Sequence, residues 1–144
     1  MKLLNFGSLN IDYVYDMPHF VQGGETATAT ARHVYAGGKG LNQSIAAARA
    51  GAQVLHAGAI GPDGAFLTQL LEDAGADTSA LLQVQEASGH AMIQVTPEGQ
   101  NAIIVYGGAN HCLTEAYVQS VLRQAEPGDL VLLQNETRQT AKII

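Results

Sequence analysis

At 144 residues, 47% of them hydrophobic and 14% charged, the chain can bury one real core, and its sparse charge predicts a surface covered by self-association or by more of the same fold. A formal net charge of −6 with no basic cluster excludes a nucleic-acid backbone as partner. The single cysteine, Cys112, has no internal disulfide partner, and the apolar start over residues 1–7 is too short for a signal peptide or a membrane span. Together these predict a soluble, cytoplasmic protein.

Residues 3–6 form a short apolar run stopped by Gly7-Ser8, the pattern of a buried strand. In Leu9-Asn10-Ile11-Asp12, the two polar residues are two apart and share one side if the chain stays extended. Ligands of open α/β sheets collect beyond the carboxyl ends of strands, so Asn10 and Asp12 are either ligand contacts or an Asx-type turn. Thr26, Thr28 and Thr30 alternate with alanines, and strands are predicted near residues 13–15 and 26–35, with Gly23-Gly24 as the bend between them.

The stretch Gly37-Gly38-Lys39-Gly40-Leu41-Asn42-Gln43 comes next, followed by an Ala-rich helix that Gly51 ends. A P-loop needs a different glycine spacing, and a dinucleotide fingerprint needs glycine where Gln43 stands, so neither applies. The helix start is expected to offer free backbone N–H groups, with Lys39 and Asn42 able to reach a polar ligand. The competing reading is that the glycines build only a tight strand-to-helix turn.

A strand over residues 53–60 leads into Gly61-Pro62-Asp63-Gly64, with Asp63 as the expected N-cap. The helix after it is predicted to bury Phe66, Leu67, Leu70, Leu71 and Ala74 and to end at Gly75. Strand and helix in alternation predict a parallel α/β sheet. Residues 91–95 and 102–106 read as a hairpin around Pro97 and Gly99, and with the earlier strand pair they make a small separate sheet. Such a sheet beside a glycine-rich site is a natural lid.

Thr114 is the expected cap of a third helix, and residues 128–134 are a buried strand that delivers Glu136 at its carboxyl end. Glu136 there either meets a ligand or complements a helix dipole. Residues 137–144 read as the first turns of a helix. Either the sequence is the N-terminal portion of a longer fold or a short helix docks on the body. The five histidines lack metal-ligand spacing, and Cys112 is expected to be a small buried hydrophobe.

Taken in order, Gly7-Ser8-Leu9-Asn10-Ile11-Asp12, Gly24-Glu25-Thr26, Gly37 to Gln43, Gly58 to Gly64, Gly107-Gly108-Ala109-Asn110 and Gln134-Asn135-Glu136 resemble the ribokinase-like (PfkB-type) carbohydrate kinases, the ribokinases among them most closely. The resemblance implies a Rossmann-like parallel sheet flanked by helices, with a small β-sheet lid that serves as a homodimer interface. The whole chain, 1–144, would be the N-terminal part of such a domain, with lid strands from about 13–36 and 88–106. It further implies a sugar held by Asn10, Asp12, Gly38, Lys39, Asn42 and Glu136, with Ala91 and Ile93 covering its apolar face.

Gly23 and Leu41 depart from the family's usual Pro and Ala, and the second leaves pentose, ketohexose and nucleoside all open. The family's catalytic Asp, its metal motif and its nucleotide pocket have no counterpart among these residues. The complete protein would use ATP and Mg²⁺, with no catalytic or metal residue in this chain. The isolated chain is therefore expected to be inactive, the alternative being a non-catalytic sugar-binding or dimerising module.

Overall fold

The computed structural model describes residues 1–144. In chain order the elements are β1 (Lys2–Phe6), β2 (Asn10–Asp16), β3 (Ala31–Gly37), α1 (Lys39–Arg49), β4 (Gln53–Ile60), α2 (Ala65–Asp73), β5 (Leu81–Gln83), β6 (Gly89–Val95), β7 (Asn101–Tyr106), α3 (Glu115–Leu122), β8 (Leu130–Leu133) and α4 (Thr140–Ile143). A single 3-10 turn, Gly108–His111, joins β7 to α3.

The main sheet has the order β5-β4-β1-β8, with every neighbouring pair parallel. Its strands alternate between two helical layers, as the period of two requires. Leu4, Phe6, Leu55 and Ala57 pack against Val118 and Val121 of α3. On the other side Val54 and Ile60 meet Leu41 of α1 and Leu67 and Leu71 of α2. Helices on both faces of a parallel sheet give the expected Rossmann-like architecture.

The smaller sheet has the order β3-β2-β6-β7. Its outer pairs are antiparallel hairpins, but its central pair, β2 and β6, is parallel, with Asn10 opposite Gly89 and Asp12 opposite Ala91. Asn10 and Asp12 thus lie inside a strand of the second sheet and do not form a turn leaving the first. The long connection before β3 forms no strand up to Thr30, whose N–H already donates to Asp16 O at 2.8 Å, so the strand expected over residues 26–35 begins only at Ala31. A period-two pattern suits a strand but says nothing about whether a partner lies beside it.

Local expectations also change. Asp63 does not cap α2; its Oδ1 accepts from the backbone N–H of Ser88 at 2.9 Å, and Gly64 stands at the cap without a side-chain bond. Phe66 and Leu70 face outward, leaving Leu67 and Leu71 as the buried residues of that helix. β8 is an edge strand with Leu130 and Val131 exposed, although its apolar run reads as a buried strand. Cys112 is only half buried. Thr114 does cap α3, its Oγ1 accepting from Tyr117 N at 3.2 Å.

The start of α1 is set by a close approach. A Cβ on Gly40 would run into the backbone of Gly7 and Ser8, so the helix meets the end of β1 main chain to main chain. Gly38 supplies the left-handed φ of 97° that turns the chain into the helix. Where β1 and β4 lie under α1, Asn5 and His56 interrupt the apolar runs, both fully buried beside Ser44.

Two outcomes follow from this packing. Helix propensity alone favours Ala over Gly by about 1 kcal/mol. Gly40→Ala should nevertheless destabilise the fold by about 2 kcal/mol, because backbone cannot yield as a side chain does; urea denaturation measures it. Burial lowers the His56 pKa from 6.5 to about 4. Between those values the unfolded chain binds a proton that the native chain does not, so stability falls as pH drops through this window, by up to about 3 kcal/mol. Urea midpoints at pH 7 and pH 4.5 should show the loss, and His56→Gln should show a shallower one.

Candidate functional site

The carboxylate of Glu136 is where three segments meet. β8 runs beside β1 with Leu133 opposite Phe6, so the chain leaves β8 at the end where Gly7-Ser8 leaves β1. Glu136 Oε2 accepts from Ser8 Oγ at 2.6 Å and from the Lys39 backbone N–H at 3.4 Å, while Oε1 pairs with Lys39 Nζ. Burial pushes this carboxyl up, but the hydrogen bonds from Lys39 and Ser8 outweigh it and hold the group below the usual glutamate range. The Lys39 side chain is 69% exposed, so the pair contributes little to stability and mainly fixes where the two heads sit.

Asp12 lies close to this anion. A Cβ on Gly37 would collide with the Asp12 carboxylate, so glycine is what lets that group lie against β3. Burial, and then the charge of Glu136, raise the Asp12 carboxyl above its usual range. Two carboxylates near enough to feel each other's charge thus carry opposite shifts, with Glu136 held ionised by Lys39 and Ser8.

Asn10 is oriented by a residue 100 positions away. Asn110 Nδ2 donates to Asn10 Oδ1 at 2.8 Å and to Leu9 O at 3.2 Å, and Asn110 Oδ1 accepts from Leu9 N at 3.0 Å. Gly89 leaves the room, since a Cβ there would strike both amide groups. Ser8, Asn10, Val105, Gly107, Asn110, His111, Asn135 and Glu136 line a cleft of about 300 Å³. A larger hollow of about 450 Å³ lies at the far end of the small sheet, but its only charged group, Asp16, already faces His33 at 3.3 Å.

Among the residues singled out in the sequence, Asn10 and Glu136 line the cleft, Lys39 and Asp12 border Glu136, and Gly38 packs on the backbone of Ser8 and Asn10. Asn42 is exposed one turn further along α1 and makes no side-chain hydrogen bond. Ala91 and Ile93 stand on the same face of the small sheet as Asp12, outside the cleft. Ser8, Asn110, Asn135 and His111 were not singled out as site residues. Ser8 and Asn110 lie within recognisable motifs, but their partners are 128 and 100 residues distant in sequence.

The expected free amides at the α1 terminus are absent. Lys39 N donates to Glu136, Gly40 N to Ser8 Oγ at 3.4 Å, and Leu41 N to Ser8 O at 2.9 Å. An anion already occupies the terminus, so a triphosphate does not fit there. No group of three metal-ligating side chains is assembled either, so Mg²⁺ does not fit these residues. What the site offers is a set of hydroxyl partners: carboxylate acceptors, a carboxamide and an ammonium group.

Comparison with known proteins agrees with this chemistry. The profile of the pfkB family carbohydrate kinases matches residues 1–140. The chain belongs to that family. It is 40% identical to the ribokinase of Haemophilus influenzae over 134 residues and 38% identical to that of Bacillus subtilis over 132 residues. These matches cover 91% and 90% of this chain but only 44% and 45% of the two relatives, so the chain spans under half their length.

Among solved structures, ribokinase from Cryptococcus neoformans in complex with ADP superposes with a TM-score of 0.82 at 39% identity, covering 98% of this chain and 42% of that one. Arabidopsis thaliana ribokinase complexed with ribose and ATP gives 0.78 at 29% identity, covering 99% and 49%.

The coupling of the two carboxylates is open to measurement. Glu136→Gln removes the charge that opposes Asp12 ionisation, so the Asp12 carboxyl should titrate lower than in the unaltered chain. It should still titrate above 3.8, because burial is the larger cause and remains. Carbon-detected NMR titration of the side-chain carboxyls reads both shifts.

Proposed function

We propose that these 144 residues form the sugar-holding part of an ATP-dependent carbohydrate kinase that phosphorylates a primary hydroxyl of a pentose or related sugar. The observation that carries this reading is the placing of Asn10 and Glu136 at one cleft, with Lys39 paired to Glu136 and Asp12 feeling its charge, in a chain whose relatives are ribokinases. A sugar presents hydroxyls that donate and accept, and ionised Asp12 and Glu136 accept strongly while Lys39, Asn42 and the free N–H groups of Asn10 donate. Gly38 keeps the backbone of the elbow within reach of the ring. Ala91 and Ile93 give the small sheet an apolar side to lay over the sugar and exclude water.

In this reading the small sheet is a lid. It also has exposed apolar side chains on both faces, Met92 and Ile104 on one and Ile103 and Val105 on the other, which suit pairing of two copies into a homodimer. No helix is long and apolar enough to cross a membrane, and a cytoplasmic setting suits the unpaired Cys112.

Phosphoryl transfer depends on charge stabilisation around the transferred group. The anion at the start of α1 and the missing metal ligands supply none, so ATP and Mg²⁺ would be held by residues other than these 144.

Calorimetry with D-ribose, and with a panel of pentoses, ketohexoses and nucleosides, tests the ligand. Binding should weaken as pH falls through the raised titration of Asp12, since protonation removes an acceptor before Glu136 is affected. Asp12→Asn should weaken ribose binding about tenfold, the loss of one charge-assisted bond. ADP release from ATP by the 144-residue chain should be absent. Turnover by that chain would overturn the reading of its role, and a full-length protein that binds sugar without turnover would mark a binding module instead.

A further inference from the structure

Beneath the glycine elbow, where apolar runs pass under α1, each of two neighbouring strands carries a buried polar residue: Asn5 of β1 and its register partner His56 of β4. With Ser44 of α1 and Gln134 beyond β8 they form a continuous hydrogen-bonded chain. Gln134 Nε2 donates to Asn5 Oδ1 at 2.9 Å. Asn5 Nδ2 donates to the Gly40 carbonyl at 2.9 Å and to Ser44 Oγ at 2.8 Å. Ser44 Oγ in turn lies 2.7 Å from His56 Nδ1, and in the Nε2–H tautomer of His56 the hydroxyl donates to it. Only a neutral imidazole can accept there, and burial keeps His56 neutral at pH 7.

The ends of this chain locate its effect. Gly40 follows Lys39, and Gln134 precedes Glu136 by two residues. Asn5 therefore bridges the first turn of α1 to the segment that carries Glu136, directly beneath their contact. Gly7 gives the Gln134 carboxamide its room, since a Cβ there would come within 2.8 Å of Gln134 Oε1.

We propose that Asn5 is a positioning residue for the candidate sugar site: it sets the separation of Lys39 and Glu136, and the Ser44–His56 pair holds its carboxamide in the orientation that does so. The inference rests on the sugar-site reading for its consequence but not for its geometry. An aliphatic side chain at position 5 would fill the same space while leaving the buried Gln134 amide and Gly40 carbonyl without their partner. Those groups then move to recover hydrogen bonds, and the elbow moves with them.

The test follows the Glu136 carboxyl by carbon-detected NMR in the 144-residue chain, comparing the unaltered protein with Asn5→Leu and with Leu71→Ala. Leu71→Ala weakens the α2 core without touching the network. Asn5→Leu should raise the Glu136 titration toward the usual glutamate value, while Leu71→Ala should leave it in place despite its lower stability. Should Asn5→Leu fail to fold, Ser44→Ala, which removes a single oxygen, is read in the same way. A folded variant with Glu136 titrating as in the unaltered chain overturns the proposal. Calorimetry with D-ribose separates the two readings: Asn5→Leu should weaken binding about tenfold or more. An unaltered chain that takes neither ribose nor any other member of the panel sinks the sugar assignment, and the carboxyl titration then still decides the positioning role.

Discussion

Two main-chain segments touching without side chains between them, Gly7 after β1 and Gly40 in the first turn of α1, set the geometry on which the site depends. Because the backbones meet directly, Ser8 can offer its carbonyl to Leu41 and its hydroxyl both to the Gly40 N–H and to Glu136. The helix terminus is thus closed by the protein's own groups. Its positive end acts on a carboxylate that belongs to the chain and holds that carboxylate ionised.

The second sheet brings the remaining polar groups to that point. β2 starts where β1 has just ended, so Asn10 and Asp12 are projected from the small sheet toward the end of the large one. The parallel pairing of β2 with β6 places Gly89 beside Asn10, and the loop after β7 returns Asn110 to hold it. A single cation among two carboxylates leaves the site net negative, which suits a neutral polyol better than a phosphate.

Much of this was legible in the sequence, for identifiable reasons. The alternation of buried strands and helices, the glycines that end α1 and α2, and the hairpin of β6 and β7 are local signals, carried by residues within a few positions of one another. The glycine elbow and the polar pair Asn10 and Asp12 stood out because chemistry at a turn or strand end is unusual in an apolar chain. Signals that depend on distant partners were hidden. Nothing around Thr26 shows that no strand lies beside it, and Asp63 has the right spacing for a cap yet is taken by Ser88. The amides of α1 are expected to be free in any isolated helix, and only the approach of Ser8 and Glu136 removes them. Asn5 and His56 carry no local signal, because their partners Ser44 and Gln134 come from distant elements.

The parallel union of β2 with β6 also bears on how the molecule is assembled in time. Asn10 finds its neighbour Gly89 79 positions later, so the centre of the small sheet cannot zip up from a tight turn as the β6–β7 hairpin can. Closing so long a loop is entropically slow, and it becomes favourable only once β4 and α2 have collapsed onto β1 and drawn the ends together. The hairpins β2–β3 and β6–β7 should therefore exist as separate, fluctuating units on a formed parallel layer before they join. The polar groups borne by β2 then reach their final places in the last step of folding.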